Sequence, residues 1–114
     1  MKKISYATSY KVGQGDIRLQ VVIGDGQFGS TLVTLGSQVW EQAHDFDHVL
    51  GTGVALAGKT LSVTSIVTDT NVQTNQTAVT YRLSGGVVPL EHTVTFTVDD
   101  ENDSVDYEAS IVLA

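Results

Sequence analysis

Apolar residues recur at every second position through most of the chain. Ile17, Leu19, Val21 and Ile23 share one face of a segment whose other face is Arg18, Gln20 and Val22. That period is the pleat of a half-buried β-strand, and it is incompatible with a helix. The same alternation marks Ile4, Tyr6, Thr8, Tyr10 and Val12, then Thr31, Val33 and Leu35. It returns at Leu61, Val63 and Val67, and again at Val79, Tyr81 and Leu83. Leu90, His92, Val94, Phe96 and Val98 form an inward row whose reverse side is Glu91, Thr93, Thr95, Thr97 and Asp99. Val105, Tyr107, Ala109, Ile111 and Leu113 complete the chain.

Turn chemistry separates these runs. Asp25-Gly26 supplies the left-handed backbone that a tight hairpin wants. Asn71 to Gln76 reads as a polar loop, Ser84 to Gly86 as a turn, and Asp99 to Ser104 as an acidic hairpin loop. About seven to eight strands with turns every ten residues or so predict an antiparallel β-sandwich, Ig-like or jelly-roll-like in architecture, with a barrel as the alternative. Residues 1–114 form one domain on length alone.

Residues 37–50 break the pattern. Read as a strand, this stretch mixes Trp40, His44, Phe46 and Leu50 with Gln42 and His48 on one face. Read as a helix, it sorts Val39, Ala43, Phe46 and Leu50 into one stripe and puts Glu41, His44, Asp45 and His48 opposite. A short helix or an irregular crossover is expected there.

Composition agrees with the strand reading. Val (17) and Thr (14), both β-branched, lead the count. The absence of cysteine excludes disulfides, zinc–thiolate sites and thiol nucleophiles. The net charge of −7 argues against nucleic acid and against anionic membranes, both of which need clustered Lys and Arg. Lys2 and Lys3 are not followed by an apolar run of signal-peptide length, and no stretch approaches a membrane span, so a cytoplasmic location is expected. Charge is also uneven: residues 1–11 carry Lys2, Lys3 and Lys11 and no acid, while residues 91–108 carry seven acids and no base.

Candidate chemistry is sparse. On a helix, His44 and His48 would lie one turn apart, with Glu41 or Asp45 as an oxygen ligand and His92 as a third imidazole from elsewhere. That set would suit zinc or ferrous iron, but it lacks the Glu beside the first His that zinc proteases use as a base. Asp99, Asp100, Glu101 and Asp103 could hold a weak surface calcium, although the glycine and late Glu of an EF-hand loop are missing. The glycine clusters "GQGD" and "GDGQFG" lack the Lys-Ser/Thr of a phosphate loop, and no Gly-x-Ser-x-Gly elbow occurs. Tyr6 and Tyr10 share a strand face at a spacing that could stack a sugar, and Trp40 lies off the apolar stripe, as contact residues do.

The expectation is therefore a non-enzymatic structural or protein-interaction module without cofactor, self-associating as a homo-oligomer in which sheet edges join. A carbohydrate- or metal-binding sandwich is the alternative. A metal-dependent enzyme built on His44, His48 and His92 is the third reading.

Overall fold

A computed structural model describes residues 1–114. The chain forms nine strands: β1 (Lys2–Tyr10), β2 (Asp16–Ile23), β3 (Phe28–Leu35), β4 (Gln38–Ala43), β5 (Phe46–Thr52), β6 (Thr60–Thr68), β7 (Gln76–Ser84), β8 (Leu90–Thr97) and β9 (Ser104–Leu113). One short helix, α1 (Gly53–Leu56), separates β5 from β6. Two sheets pack face to face. The first runs β1-β9-β6-β3-β4 and the second β5-β2-β7-β8. This is the expected all-β sandwich.

The inward rows are those the alternation predicts. Ile17, Leu19, Val21, Val33, Leu61, Val63, Val79, Tyr81 and Leu83 are buried, as are Val105, Tyr107, Ile111 and Leu113. One cluster of 21 buried residues fills the space between the sheets. Each such side chain contributes roughly 1.5–3 kcal/mol by leaving water. Two hydroxyls interrupt the inward rows at neighbouring positions. Thr31 on β3 lies opposite Ser65 on β6, and their side-chain oxygens hydrogen-bond at 2.7 Å inside the protein.

Four expectations change. Residues 37–50 hold no helix but two strands, β4 and β5, which accounts for the ninth strand, and the expected crossover between sheets is confined to His44 and Asp45. The supposed helical stripe is split: Val39 and Ala43 sit on the solvent face of the first sheet, whereas Phe46 and Leu50 face the core from the second. Asp45 forces the break between them. Its carboxylate accepts the Ile23 N–H at 2.8 Å, and the His44 N–H donates to the Gly29 carbonyl at 2.8 Å with His44 in the left-handed region (φ 57°). The chain thereby leaves one sheet and enters the other. The helix lies just after this stretch, where the Thr52 hydroxyl accepts the Ala55 N–H.

Asp25 and Gly26 both take positive φ, as a tight turn requires. Their turn is nevertheless no hairpin, because β2 and β3 belong to different sheets. Asp99 to Ser104 likewise crosses from β8 in one sheet to β9 in the other rather than joining neighbours. Finally, the pairing is not wholly antiparallel: β1 runs parallel to β9 over Lys2↔Val105 to Tyr10↔Leu113.

Candidate interaction surfaces

The structure disperses the histidines. His44 meets the edge of the Phe28 ring (centroids 4.8 Å apart, 86°), and His48 lies tilted against Trp40 (4.8 Å). His92 stacks flat on Tyr6 (3.9 Å, 10°) at the opposite flank of the sandwich. Glu41 is on the outward face of β4, directly opposite Leu32, and Asp45 is occupied by the Ile23 N–H. No three His, Asp or Glu side chains gather into a metal-holding group. The three rings instead pack as aromatic surface.

The acidic loop is held mostly by its own backbone. The Asp103 N–H donates to the Asp100 carbonyl, and the Asp100 N–H to the Asp103 carboxylate at 3.3 Å. Asp69, at the end of β6, pairs its backbone with Asn102 and Asp103 across this loop. Its side chain is buried, and neither carboxylate oxygen has a hydrogen-bond partner. Asp99 and Asp103 line an open cleft of ≈ 530 Å³ together with Lys2, Phe96 and Asn102.

Tyr6 and Tyr10 do not form an exposed stacking platform. Tyr10 is buried, and its hydroxyl accepts the Gly86 N–H at 2.9 Å. Tyr6 is half-buried under His92 and within 6.1 Å of the Tyr81 ring. Burial pushes the Tyr81 phenol well above its ordinary pKa, and the nearby Tyr107 and Asp106 add to it. Tyr107 is also raised by burial, against the opposing hydrogen bond with Thr77. Both phenols stay protonated at neutral pH and supply no base.

The basic first strand and acidic last strand meet within one chain. They pair as β1 and β9, with the Lys3 ammonium 3.3 Å from the Glu108 carboxylate. Part of the charge asymmetry is therefore matched within the fold.

Signals that strand alternation alone does not show lie on the outward faces. Across the second sheet, Asp47, Gln20, Arg82 and Glu91 form one row, with Arg18 in the next. Arg18 pairs with Asp47, and Arg82 with Glu91 while also reaching Gln20 at 3.4 Å. This face is a solvated ladder of charge. The first sheet is different. One row runs Ala7, Ser110, Ser62, Thr34, Val39; the next runs Ser5, Glu108, Thr64, Leu32, Glu41; a third runs Lys3, Asp106, Ile66, Ser30, Ala43. Of its three interior strands, β3 and β6 carry no outward charge, while β9 carries Asp106 and Glu108. Four large apolar side chains stand on it in the open: Phe28 (43% exposed), Leu32 (38%), Val39 (61%) and Val112 (45%).

The sheet edges differ as well. β1 presents Lys2 and Lys3, β4 is only six residues long with Glu41, and β5 carries Asp47 and a register break against β2. Charges, brevity and bulges are what protect an edge from pairing. β8 has neither brevity nor a bulge, and its only guard is a single charge. It pairs with β7 in unbroken register from Leu90 to Thr97, and Glu91 is its one charged residue. Its inward row, Leu90, His92, Val94 and Phe96, is only half-buried.

No helix is long and apolar enough to cross a membrane. Compared with known protein families, curated proteins and solved structures, the chain matches none.

Proposed function

We propose that this protein is a non-enzymatic interaction module that associates with itself. The observation that carries this reading is the outward face of β6, β3 and β4, where Leu32, Phe28 and Val39 stand among serines and threonines, with no charge on β3 or β6. Large apolar side chains left exposed on one sheet face of an otherwise acidic protein make that face a candidate contact surface. Five strands at the usual spacing give a face on the order of 600 Å² in projection. That is somewhat less than the roughly 800 Å² per partner of a standard stable interface, so the association is reversible and concentration-dependent. The clefts are open and shallow, and no nucleophile is placed beside a base, in keeping with a role in contact rather than catalysis.

Sedimentation over a concentration series tests this reading. The wild type is expected to gain mass through the micromolar range, and Leu32→Glu to weaken that gain while keeping its fold. A chain that stays monomeric at every concentration and at low salt sinks it.

A second reading, a glycan-binding module, has its own observation. The charge ladder of the second sheet borders a cleft of ≈ 170 Å³ where Arg18, Gln20, Arg82 and Glu91 set donors beside acceptors. It has no aromatic floor. Binding on a glycan array that Arg82→Ala abolishes would favour it.

A further inference from the structure

We propose that the free edge of β8 is itself a pairing site, and that its occupant is β8 of a second copy of this chain, running antiparallel. The proposal rests on the self-association reading but not on the apolar face.

The backbone orientation makes the edge available. The Val98 N–H donates to the Asn75 carbonyl at 2.9 Å, continuing the β7–β8 register. In an antiparallel ladder successive residues point their N–H and C=O to opposite sides. The backbone groups of Phe96, Val94, His92 and Leu90 therefore serve β7. Those of Thr97, Thr95, Thr93 and Glu91 face outward from the sheet edge, where no backbone hydrogen bond uses them.

The register follows from three constraints. Inward residues must meet inward residues, or each apolar side chain would turn to solvent. The strands must overlap along their length. Pro89 must not be asked for a donor, because it has no N–H. Placing Val94 on the two-fold axis satisfies all three. Thr93 then pairs with Thr95 of the other copy, Glu91 with Thr97, and His92 with Phe96. Shifting the register by one pair towards the start of the strand puts Pro89 opposite Thr97 and loses a bond. In the chosen register the two Glu91 carboxylates lie far apart, so no like charges oppose. The outward contacts nearest the axis are threonine against threonine, a pairing the chain already makes where Thr80 and Thr93 hydrogen-bond at 2.7 Å across β7 and β8, and Glu91 meets Thr97 at the ends. The half-buried inward row gains cover, and the four-stranded sheet becomes eight-stranded.

Together with the apolar face, this edge gives each chain two different self-complementary surfaces. Two such surfaces carry assembly past a dimer: they close as a tetramer where their two-fold axes cross at right angles and otherwise propagate.

Two variants and one measurement test the edge. Thr95→Pro removes an outward N–H while leaving the β7 ladder intact, a position where edge strands accept proline. It should fold with near-native circular dichroism and lose the association that depends on β8. Val94→Cys places the chain's one thiol on the axis, as a non-hydrogen-bonded pair whose Cα separation suits a disulfide. It should give a covalent dimer on mild oxidation, and the Thr95→Pro/Val94→Cys double variant should not. A wild type that associates equally well as Thr95→Pro, with Val94→Cys left uncrosslinked, overturns the edge and leaves the self-association reading standing. A wild type that is monomeric throughout overturns both.

Discussion

The Tyr6 ring lies flat on the His92 ring, 3.9 Å between centroids and 10° from parallel, and this stack bridges the two sheets at their open flank. β1 and β8 are both edge strands, so neither has a neighbour beyond it to complete its cover. The stack supplies part of that cover. Tyr6→Ala is expected to cost about 2 kcal/mol, less than a fully buried aromatic. A double-mutant cycle with His92→Ala should give a coupling of about 0.5–1.5 kcal/mol. Urea unfolding of the four proteins measures it, and additive losses would show that the rings merely lie near each other.

Thr31 and Ser65 offer a sharper test of buried polarity. Each hydroxyl satisfies the other in a region closed to water. Thr31→Val or Ser65→Ala alone strands the remaining hydroxyl and should cost about 1–3 kcal/mol. Thr31→Val with Ser65→Ala removes both and should cost less than the sum. Thermal melts of the three variants decide it.

Gln27 is the keystone of the polar loop between β6 and β7. Its amide oxygen accepts the Thr70 and Asn71 N–H groups at 2.8 Å each, and its amide nitrogen donates to the Thr74 and Gln76 carbonyls. Gln27→Leu keeps the bulk and deletes all four bonds. A loss of about 1–3 kcal/mol is expected, since four partly buried backbone groups lose their partner. Hydrogen exchange should show Thr70 and Asn71 unprotected while β2 and β9 keep their protection.

Asp106 ties stability to pH. Burial raises its pKa first, then a hydrogen bond and the charge of Glu108, with Lys3 opposing. A carboxyl raised by folding binds its proton more tightly in the native state than in the unfolded one. Its contribution is fully present below the unfolded pKa and is lost as pH rises through the folded value. Asp106→Asn should remove that loss, so the variant should gain on the wild type as pH rises through this window. Denaturation midpoints across the acid range, equal for both proteins at every pH, would refute this.

Most of the fold is legible in the sequence because one physical rule writes it. With one face against the core and one in water, a strand must alternate, so β2, β3, β6, β7 and β9 announce their inward rows. Residues 37–50 defeat that rule because both of their strands are sheet edges. Trp40, Phe46 and His48 are only partly covered, so burial selects weakly and a helical stripe can be drawn through the same letters. The switch between sheets is made by one carboxylate, Asp45, reaching a backbone N–H 22 residues away in the chain. No local spacing encodes that contact.

The candidate surfaces divide in the same way. By itself the sequence determined a β-sandwich core, the absence of thiol chemistry and the lack of a spaced catalytic set, because composition and period-two burial are local properties. Only the tertiary structure decided that the histidines go to three separate aromatic contacts, that the basic first strand and acidic last strand lie side by side in parallel, and that Phe28, Leu32 and Val39 share one outward face. It also decided which strand is left as the least guarded edge. Those are relations between residues brought together by strand order, and strand order is set by long-range pairing that the alternation of any one strand does not contain.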